Sequence, residues 1–177
     1  MIQGALETPD GTRLRTLAWH ADAPRGRVLL VHGLGEHGGR YDRLAGALAA
    51  RGYSSLIADL RGHGESGGRR GYVPSFDVFV EDLALAAADA ERSLPGNGRL
   101  FYYGHSMGGL VLTRYLQVKR PDTPGVIISA PWFGTAVPVP WWKEQAAWKR
   151  AHGQQVTNSR RSTSAASGQG APGSTWR

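Results

Sequence analysis

A serine lies between glycines at the junction of an apolar run and a helix-forming segment. Residues 100–110 read Leu-Phe-Tyr-Tyr-Gly-His-Ser-Met-Gly-Gly-Leu, and the apolar first part is typical of a buried β-strand. Ser106 lies midway between Gly104 and Gly108. A serine on a sharp strand-to-helix turn presents its Oγ clear of the backbone, and flanking glycines remove the side chains that would clash there. The pattern predicts that Ser106 is a nucleophile.

The rest of the sequence alternates between strand and helix patterns. A hairpin is predicted over residues 3–7 and 13–20, because the turn sequence Thr-Pro-Asp-Gly separates two alternating runs. Ser75 is a predicted helix N-cap. The other predicted strands are 27–31, 54–58, 100–103 and 125–129, and the predicted helices are 41–48, 76–94 and 107–119. This alternation predicts an α/β fold, with a mostly parallel sheet, an N-terminal antiparallel hairpin and helices on both faces.

The composition predicts one globular domain that needs no metal or cofactor. The chain has 177 residues with 41% apolar side chains, which is enough for a sizeable core. The absence of cysteine excludes disulfides, thiolate metal sites and cysteine nucleophiles. The first residues lack the basic and apolar regions of a leader, and no run has the length of a bilayer span. We therefore expect a cytoplasmic protein.

Most of the positive charge lies in the last part of the sequence. The net charge is +7, but residues 1–137 hold 15 basic and 13 acidic residues, a balance of +2. Residues 138–177 hold six basic residues and one acidic residue, a balance of +5. Because the charge is confined to this tail, nucleic-acid binding is not expected. Residues 153–177 are nearly all small or polar, a composition that predicts disorder.

Three motifs, each at the end of a predicted strand, resemble those of one enzyme family. They are Val-His-Gly-Leu-Gly-Glu-His-Gly-Gly-Arg-Tyr at 31–41, Asp-Leu-Arg-Gly-His-Gly-Glu-Ser at 59–66 and Gly-His-Ser-Met-Gly-Gly at 104–109. In this order they resemble the monoacylglycerol lipase and lysophospholipase group of α/β-hydrolases, of the serine aminopeptidase S33 type. The resemblance implies an α/β-hydrolase fold, a serine ester hydrolase activity and a small lipid or ester substrate.

The same resemblance divides the chain into two parts. It extends from residue 1 to about residue 135. Residues 1–137 correspond to the N-terminal portion of the hydrolase core, without its C-terminal strands and lid. Residues 138–177 correspond to a lid remnant and the basic tail. The tail's Trp141, Trp142 and Trp148 could cover the strand at 125–129 or contact a membrane peripherally, as in the lids of these lipases, but in a frame-shifted stretch they would have no role, which is the interpretation that we favour.

Two backbone groups are candidates for an oxyanion hole. The N–H of Met107 opens the predicted helix beside Ser106, where it can face a developing negative charge. The resemblance places the second donor at the backbone N–H of Leu34. It also matches Glu36, Arg40 and His105 to positions that line the alcohol-binding end of the acyl pocket.

Each motif also has another interpretation. Ser106 could be an ordinary buried serine in a glycine-rich turn. Glu36 and Arg40 could form a surface i,i+4 ion pair worth about 0.3–0.5 kcal/mol. The loops at 33–38 and 62–67 both satisfy G-x-G-x-x-G after a strand, and Asp59 ends the next strand as a ribose-binding acid would, so a dinucleotide-binding domain is an alternative. Against it, each loop places a glutamate where a pyrophosphate would approach.

No histidine is assigned as the catalytic base. In α/β-hydrolases the triad runs along the chain as Ser, Asp or Glu, then His, so His32, His37 and His63 are expected to structure loops through bonds to the backbone. After Ser106 the remaining candidates are few: Asp122, Glu144 and His152. Asp122 is expected at the opposite edge of the sheet from Ser106.

The interpretation that follows is an inactive chain. Glu144 and His152 have no later strand to carry them over Ser106, so we predict that the triad acid and base are not in this chain. The sequence alone also allows a pseudoenzyme or interaction module whose basic tail binds an acidic partner. Without further strands, residues 125–129 would form an exposed apolar edge that lowers solubility.

The compositional change near residues 138–150 predicts a shifted reading frame or a gene fragment. Translating the coding DNA beyond Trp142 in the other two frames tests this prediction. We expect a lid-like sequence followed by an aspartate and a histidine flanked by strands. If neither frame contains them, the tail is genuine and the prediction is wrong.

Overall fold

Six strands form one mixed sheet in the computed structural model, which describes residues 1–134. The strands are β1 (Ile2–Glu7), β2 (Arg13–Trp19), β3 (Gly26–Val31), β4 (Tyr53–Ala58), β5 (Leu100–His105) and β6 (Val126–Ser129). Their spatial order is β1-β2-β4-β3-β5-β6. The predictions made for residues 138–177, including Glu144 and His152, lie outside the described residues.

The sheet is antiparallel at one end and parallel elsewhere. Strand β2 pairs antiparallel with both β1 and β4. Strands β4, β3, β5 and β6 are mutually parallel. Because parallel strands end at the same edge, the loops after β3, β4 and β5 meet there. The predicted hairpin and parallel sheet are confirmed.

Helices cover both faces of the sheet. They are α1 (Asp42–Ala49), preceded by a 3₁₀ turn at Gly38–Tyr41, α2 (Phe76–Ser93) and α3 (Met107–Lys119). Ser75 accepts a hydrogen bond from the Asp77 N–H and so caps α2 as predicted. Among residues 1–134, no helix has the length and apolarity of a membrane span.

The central strands contribute side chains to both faces in alternation. Leu29 and Val31 of β3 pack with α2 and α3, whereas Val28 and Leu30 pack with α1. This alternation explains why the central strands are almost continuously apolar, since both of their faces are buried. The sheet is therefore fixed between two helical layers, and the edge that carries the loops is positioned rigidly.

Strand β6 ends the sheet within the described part of the chain. Its Ile127 side chain is 64% exposed and Ile128 is 37% exposed. The neighbouring Phe133 is 63% exposed. The predicted apolar edge is therefore present, and such edges favour association with other chains.

A buried arginine connects the hairpin to α2. Arg61 follows β4 and donates two hydrogen bonds to the Asp82 carboxylate, each 2.9 Å long. Its remaining amino group donates to Asp10 and Thr12 in the hairpin turn. Because Arg61 and Asp82 are both almost fully buried, neither charge is solvated by water if its partner is removed.

We predict that Asp82→Asn lowers the free energy of unfolding by about 3 kcal/mol, because it leaves the Arg61 charge buried without its main partner. Glu81→Gln on the same helix is the matched control, since Glu81 forms an exposed pair with Lys119. The control should cost no more than about 1 kcal/mol. Urea unfolding followed by circular dichroism measures both, and equal losses in the two variants would contradict the prediction.

Candidate active site

Ser106 occupies a strained turn between β5 and α3. Its backbone has φ 51° and ψ −120°, and residues other than glycine rarely adopt a positive φ. Two bonds brace this turn: the Ser106 N–H donates to the Ser129 carbonyl at 3.0 Å, and the Ser106 carbonyl accepts from the Trp132 N–H at 3.1 Å. Strain held by surrounding structure is typical of functional residues.

The flanking glycines permit close packing around this turn. A Cβ on Gly104 would lie 2.8 Å from the Gly108 carbonyl oxygen. A Cβ on Gly108 would collide with the carbonyl oxygens of Val31 and His32 at the end of β3. The sequence pattern that singled out Ser106 thus has a steric cause, because a larger residue at either glycine would push α3 away from the sheet.

The loop after β3 lies against the serine. A Cβ on Gly33 would be 3.1 Å from the Ser106 Cβ. Leu34 follows, and neither its N–H nor that of Met107 donates to any group within residues 1–134. The two predicted oxyanion donors therefore belong to segments that meet at Ser106, and both are available to a ligand as far as the described chain is concerned.

Glu36 is bound to its own loop. Its Oε2 accepts hydrogen bonds from the Gly33 N–H at 2.9 Å and from the Tyr41 hydroxyl at 3.0 Å. Burial would raise the pKa of Glu36, but these two bonds and the nearby His105 and Arg40 outweigh it, so the pKa lies below its usual value. Glu36 is an anion at neutral pH.

Arg40 and His105 are held more loosely. The Arg40 guanidinium lies 3.9 Å from Glu36 Oε1, and its side chain is 61% exposed. This is the weak i,i+4 pair that the sequence allowed. His105 Nδ1 lies 3.4 Å from the Ser129 hydroxyl. Both groups remain candidates for contact with a substrate.

His32 structures the loop. Its Nε2 accepts from the Leu60 N–H at 2.8 Å, so its Nδ1 carries the proton and donates to the Gly33 carbonyl at 2.8 Å. Burial is the main reason that the pKa of His32 lies below its usual value. A neutral imidazole with both nitrogens engaged cannot serve Ser106 as a base.

The other histidines near the site differ from one another. His63 Nδ1 lies 3.0 Å from the Arg61 carbonyl, which agrees with the predicted backbone bond. His37 is exposed, and its ring makes no hydrogen bond to the backbone of residues 1–134, contrary to our expectation. It packs beside Gly39 instead, where a Cβ would lie 3.1 Å from the ring.

Asp59 ties two loops together and does not bind a ribose. It is completely buried, and its carboxylate accepts from the N–H groups of Gly38 and Glu65. Arg15 adds a third contact at 3.3 Å. Asp59 is enclosed and cannot reach a ribose. Glu36 occupies the Gly33 N–H, which a phosphate would need, so the glycine-rich loops do not form a dinucleotide site.

The carboxylate of Asp122 is remote from the serine. It pairs with Arg99 at 2.7 Å, and these residues precede β6 and β5, at the opposite edge of the sheet from Ser106. The predicted position of Asp122 is confirmed. Within residues 1–134, no histidine nitrogen makes a hydrogen bond to the Ser106 hydroxyl.

Sequence reasoning missed the anchors of the loop after β3. Tyr41 entered the sequence analysis only as the last residue of the first motif and the first of the predicted helix 41–48, yet its hydroxyl reaches Glu36. Asp59 was considered only as a ligand of a ribose. The sequence did contain a signal for both anchors, because a polar group needs a hydrogen-bond partner when it is buried. One signal is a tyrosine five residues after a glutamate, and the other is a carboxylate at the end of an otherwise apolar strand.

We predict that Gly108→Ala destabilises the fold by at least about 3 kcal/mol, because the new methyl group overlaps the backbone of β3. Gly46→Ala is the control, since a Cβ at Gly46 meets nothing within 4 Å and the position is inside α1. The control should gain about 0.5–1 kcal/mol. Thermal unfolding compares the two, and a stable Gly108→Ala protein would show that the close packing is not required.

The resemblance to α/β-hydrolases is confirmed by comparison with known proteins. The family described as serine aminopeptidase, S33, matches residues 22–167. The chain is 35% identical to phospholipase YtpA of Bacillus subtilis over 124 residues, which cover 68% of this chain and 46% of that protein. It is 36% identical to the monoacylglycerol lipase of Mycolicibacterium smegmatis, covering 68% of this chain and 43% of the relative.

A solved structure agrees with these sequence relatives. The monoacylglycerol lipase of Paleococcus ferrophilus superimposes with a TM-score of 0.65 at 29% identity, over 82% of this chain and 52% of that one. The chain spans less than half the length of the two curated relatives described above. It belongs to the serine aminopeptidase S33 family of α/β-hydrolases, in the group that includes monoacylglycerol lipases and lysophospholipases.

Proposed function

We propose that this chain carries the nucleophile and oxyanion portion of a serine ester hydrolase. Its substrates are monoacylglycerol-like or lysophospholipid esters. The observation that carries the proposal is the conformation of Ser106, whose φ of 51° at the start of α3 turns the hydroxyl out of the backbone. An ordinary serine in a glycine-rich turn has no reason to be held in this strained state by bonds on both sides.

The chemistry is an acyl transfer through Ser106. The hydroxyl oxygen attacks the ester carbonyl while a general base takes its proton, and the carbonyl oxygen becomes an oxyanion. The N–H groups of Leu34 and Met107 stabilise this charge. The alcohol leaves with a proton, and water then releases the acid from the acyl-Ser106 intermediate. The buried tie between Gly38 and Asp59 supports the loop that carries Leu34.

Glu36, Arg40 and His105 form the polar end of the site. The Arg40 guanidinium lies 3.9 Å from Glu36 Oε1. A Cβ on Gly33 would lie 3.1 Å from Glu36 Oε2 and 3.5 Å from the His105 carbonyl oxygen, so the three residues are close together. A carboxylate, a guanidinium and an imidazole together suit the hydroxyl groups of glycerol or the polar head of a lysophospholipid. The monoacylglycerol lipases and the phospholipase among the relatives support this substrate class.

We further propose that the chain is inactive by itself. An unassisted serine hydroxyl is a poor nucleophile, since general-base assistance contributes about 10²–10⁴-fold. The described histidines near the serine are bonded elsewhere or exposed, as set out above. The acid and base of the triad would therefore come from outside residues 1–134.

Peripheral contact with a lipid surface is also part of the proposal. Exposed apolar side chains lie near the turn that carries Ser106: Leu34 is 54% exposed, Trp132 is 41% exposed and Phe133 is 63% exposed. They belong to the segments that follow β3 and β6, which both contact Ser106. A water-insoluble substrate would approach the serine across this apolar rim.

A fluorophosphonate probe and p-nitrophenyl esters test the function. We expect negligible labelling and turnover of the chain alone, and a rise of about tenfold or more in labelling when free imidazole supplies a base. The gain should be absent in Ser106→Ala. Ser93→Ala, at an exposed position of α2, is the matched control and should behave as the wild type.

Two results would contradict these proposals separately. Ser106-dependent turnover at enzyme-like rates without imidazole would show that the chain contains its own base, and the proposed inactivity would be wrong. Labelling that is equal in wild type and Ser106→Ala under all conditions would leave a pseudoenzyme or interaction module, for which salt-sensitive binding to anionic surfaces is the positive test.

A further inference from the structure

We propose that Glu36 and Tyr41 form a clamp that positions the oxyanion loop, so that Glu36 acts on the reaction through the Gly33–Leu34 peptide. In this role Glu36 is a positioning residue: its Oε2 holds the loop whatever the alcohol part of the substrate, whereas Oε1 stays available at the polar end of the site. The inference rests on the proposed function, because the loop that it positions is the proposed oxyanion loop.

The bonds of Gly33 fix the orientation of the peptide that follows it. The Gly33 carbonyl accepts from His32 Nδ1–H at 2.8 Å and from the Glu36 N–H at 3.3 Å. In a planar trans peptide the carbonyl of one residue and the N–H of the next point in opposite directions. With the Gly33 carbonyl held toward His32, the Leu34 N–H must point the other way, and it makes no bond within residues 1–134.

The Glu36 carboxylate holds the other side of the same residue. Its Oε2 accepts from the Gly33 N–H at 2.9 Å, so Gly33 is bonded through both its N–H and its carbonyl. A hydrogen bond to an ionised acceptor is roughly twice as strong as a neutral one. Gly33 is also the loop residue in contact with Ser106, where a Cβ would lie 3.1 Å from the Ser106 Cβ. Movement of Glu36 would therefore be transmitted directly to the serine's neighbour.

Tyr41 anchors the clamp in the core. Its ring is only 7% exposed, packs in the cluster beneath α1 and meets Tyr103 edge to face at 6.4 Å. Its hydroxyl donates to the same Oε2 that binds Gly33. Burial, followed by this bond to Glu36, raises the pKa of Tyr41. The hydroxyl is a permanent donor, and it fixes the carboxylate to a residue that cannot move independently of the sheet.

Arg40 has a different position and a different expected role. It reaches only the second carboxylate oxygen, Oε1, at 3.9 Å, and its side chain is mostly solvated. Its guanidinium makes no hydrogen bond to the loop backbone within residues 1–134. Of the two charged residues, Arg40 is therefore free to meet the alcohol of a substrate, whereas one oxygen of Glu36 is already occupied twice.

The first test is a spectroscopic one that needs no activity. In the ¹⁵N-labelled full chain, Glu36→Gln should move the amide proton of Gly33 upfield and speed its hydrogen exchange by about tenfold, as expected for loss of a charge-assisted bond. Tyr41→Phe should have a smaller effect in the same direction. Tyr53→Phe, in the same apolar cluster, and Glu81→Gln, a remote carboxylate, are controls that should leave Gly33 unchanged.

The second test separates positioning from alcohol binding. Imidazole-assisted reaction of Ser106 with a p-nitrophenyl ester, whose leaving group has no glycerol hydroxyls, is compared with reaction with a monoacylglycerol. We expect Glu36→Gln to slow both by about tenfold, a fraction of the 10²–10³-fold that loss of a whole oxyanion donor costs. Arg40→Gln should slow only the reaction with the monoacylglycerol.

Three outcomes would overturn the clamp. The first is a Gly33 amide that is unchanged in Glu36→Gln. The second is a changed Gly33 amide with an unchanged rate on the p-nitrophenyl ester. The third is an effect of Glu36→Gln confined to the monoacylglycerol, which would make Glu36 an alcohol-binding group like Arg40. If the wild type shows no Ser106-dependent reaction at all, the proposed function fails. The clamp is then judged by the amide resonances alone: shifts of both Gly33 and Leu34 in Glu36→Gln support it, and unchanged resonances contradict it.

Discussion

The first turn of α3 rests directly on the end of β3, and the arrangement of the site depends on this contact. Only glycine at position 108 allows it, because the carbonyl oxygens of Val31 and His32 occupy the space that a side chain would need. Beside this contact Ser106 has a positive φ, and the loop after β3 lies alongside it. Ser106 and the loop that carries Leu34 therefore meet as a consequence of backbone packing, before any side-chain chemistry is considered.

Buried or partly buried polar groups around the serine hold loops in place. His32, Glu36 and Asp59 each bind backbone N–H or carbonyl groups of the glycine-rich segments. Such segments lose much conformational entropy on ordering and have few side chains to pack, so hydrogen bonds replace apolar contacts as their source of order. The arrangement is preorganised, which is the property that electrostatic stabilisation of a transition state requires.

The sequence predicted the elements and the serine because both have local signatures. Alternating apolar residues and the Gly-x-Ser-x-Gly pattern identify β5, α3 and Ser106 without tertiary information. The clamp of Glu36 and Tyr41 was not predicted, because a hydroxyl bonded to a carboxylate across a 3₁₀ turn leaves no periodic pattern. His37 was expected to bind the backbone by analogy with His32, but a histidine that lies in an exposed loop has water as its competitor for every bond.

The position of Arg61 also determines how the amino-terminal end of the chain can be altered. Its guanidinium fastens Asp10 and Thr12 of the hairpin turn to Asp82 of α2, so the hairpin is part of the scaffold that carries the glycine-rich loop after β4. Fusion partners attached at Met1, which is 70% exposed, leave this junction intact. Trimming the chain past the hairpin turn removes it, so the usable boundary for engineering lies ahead of β1.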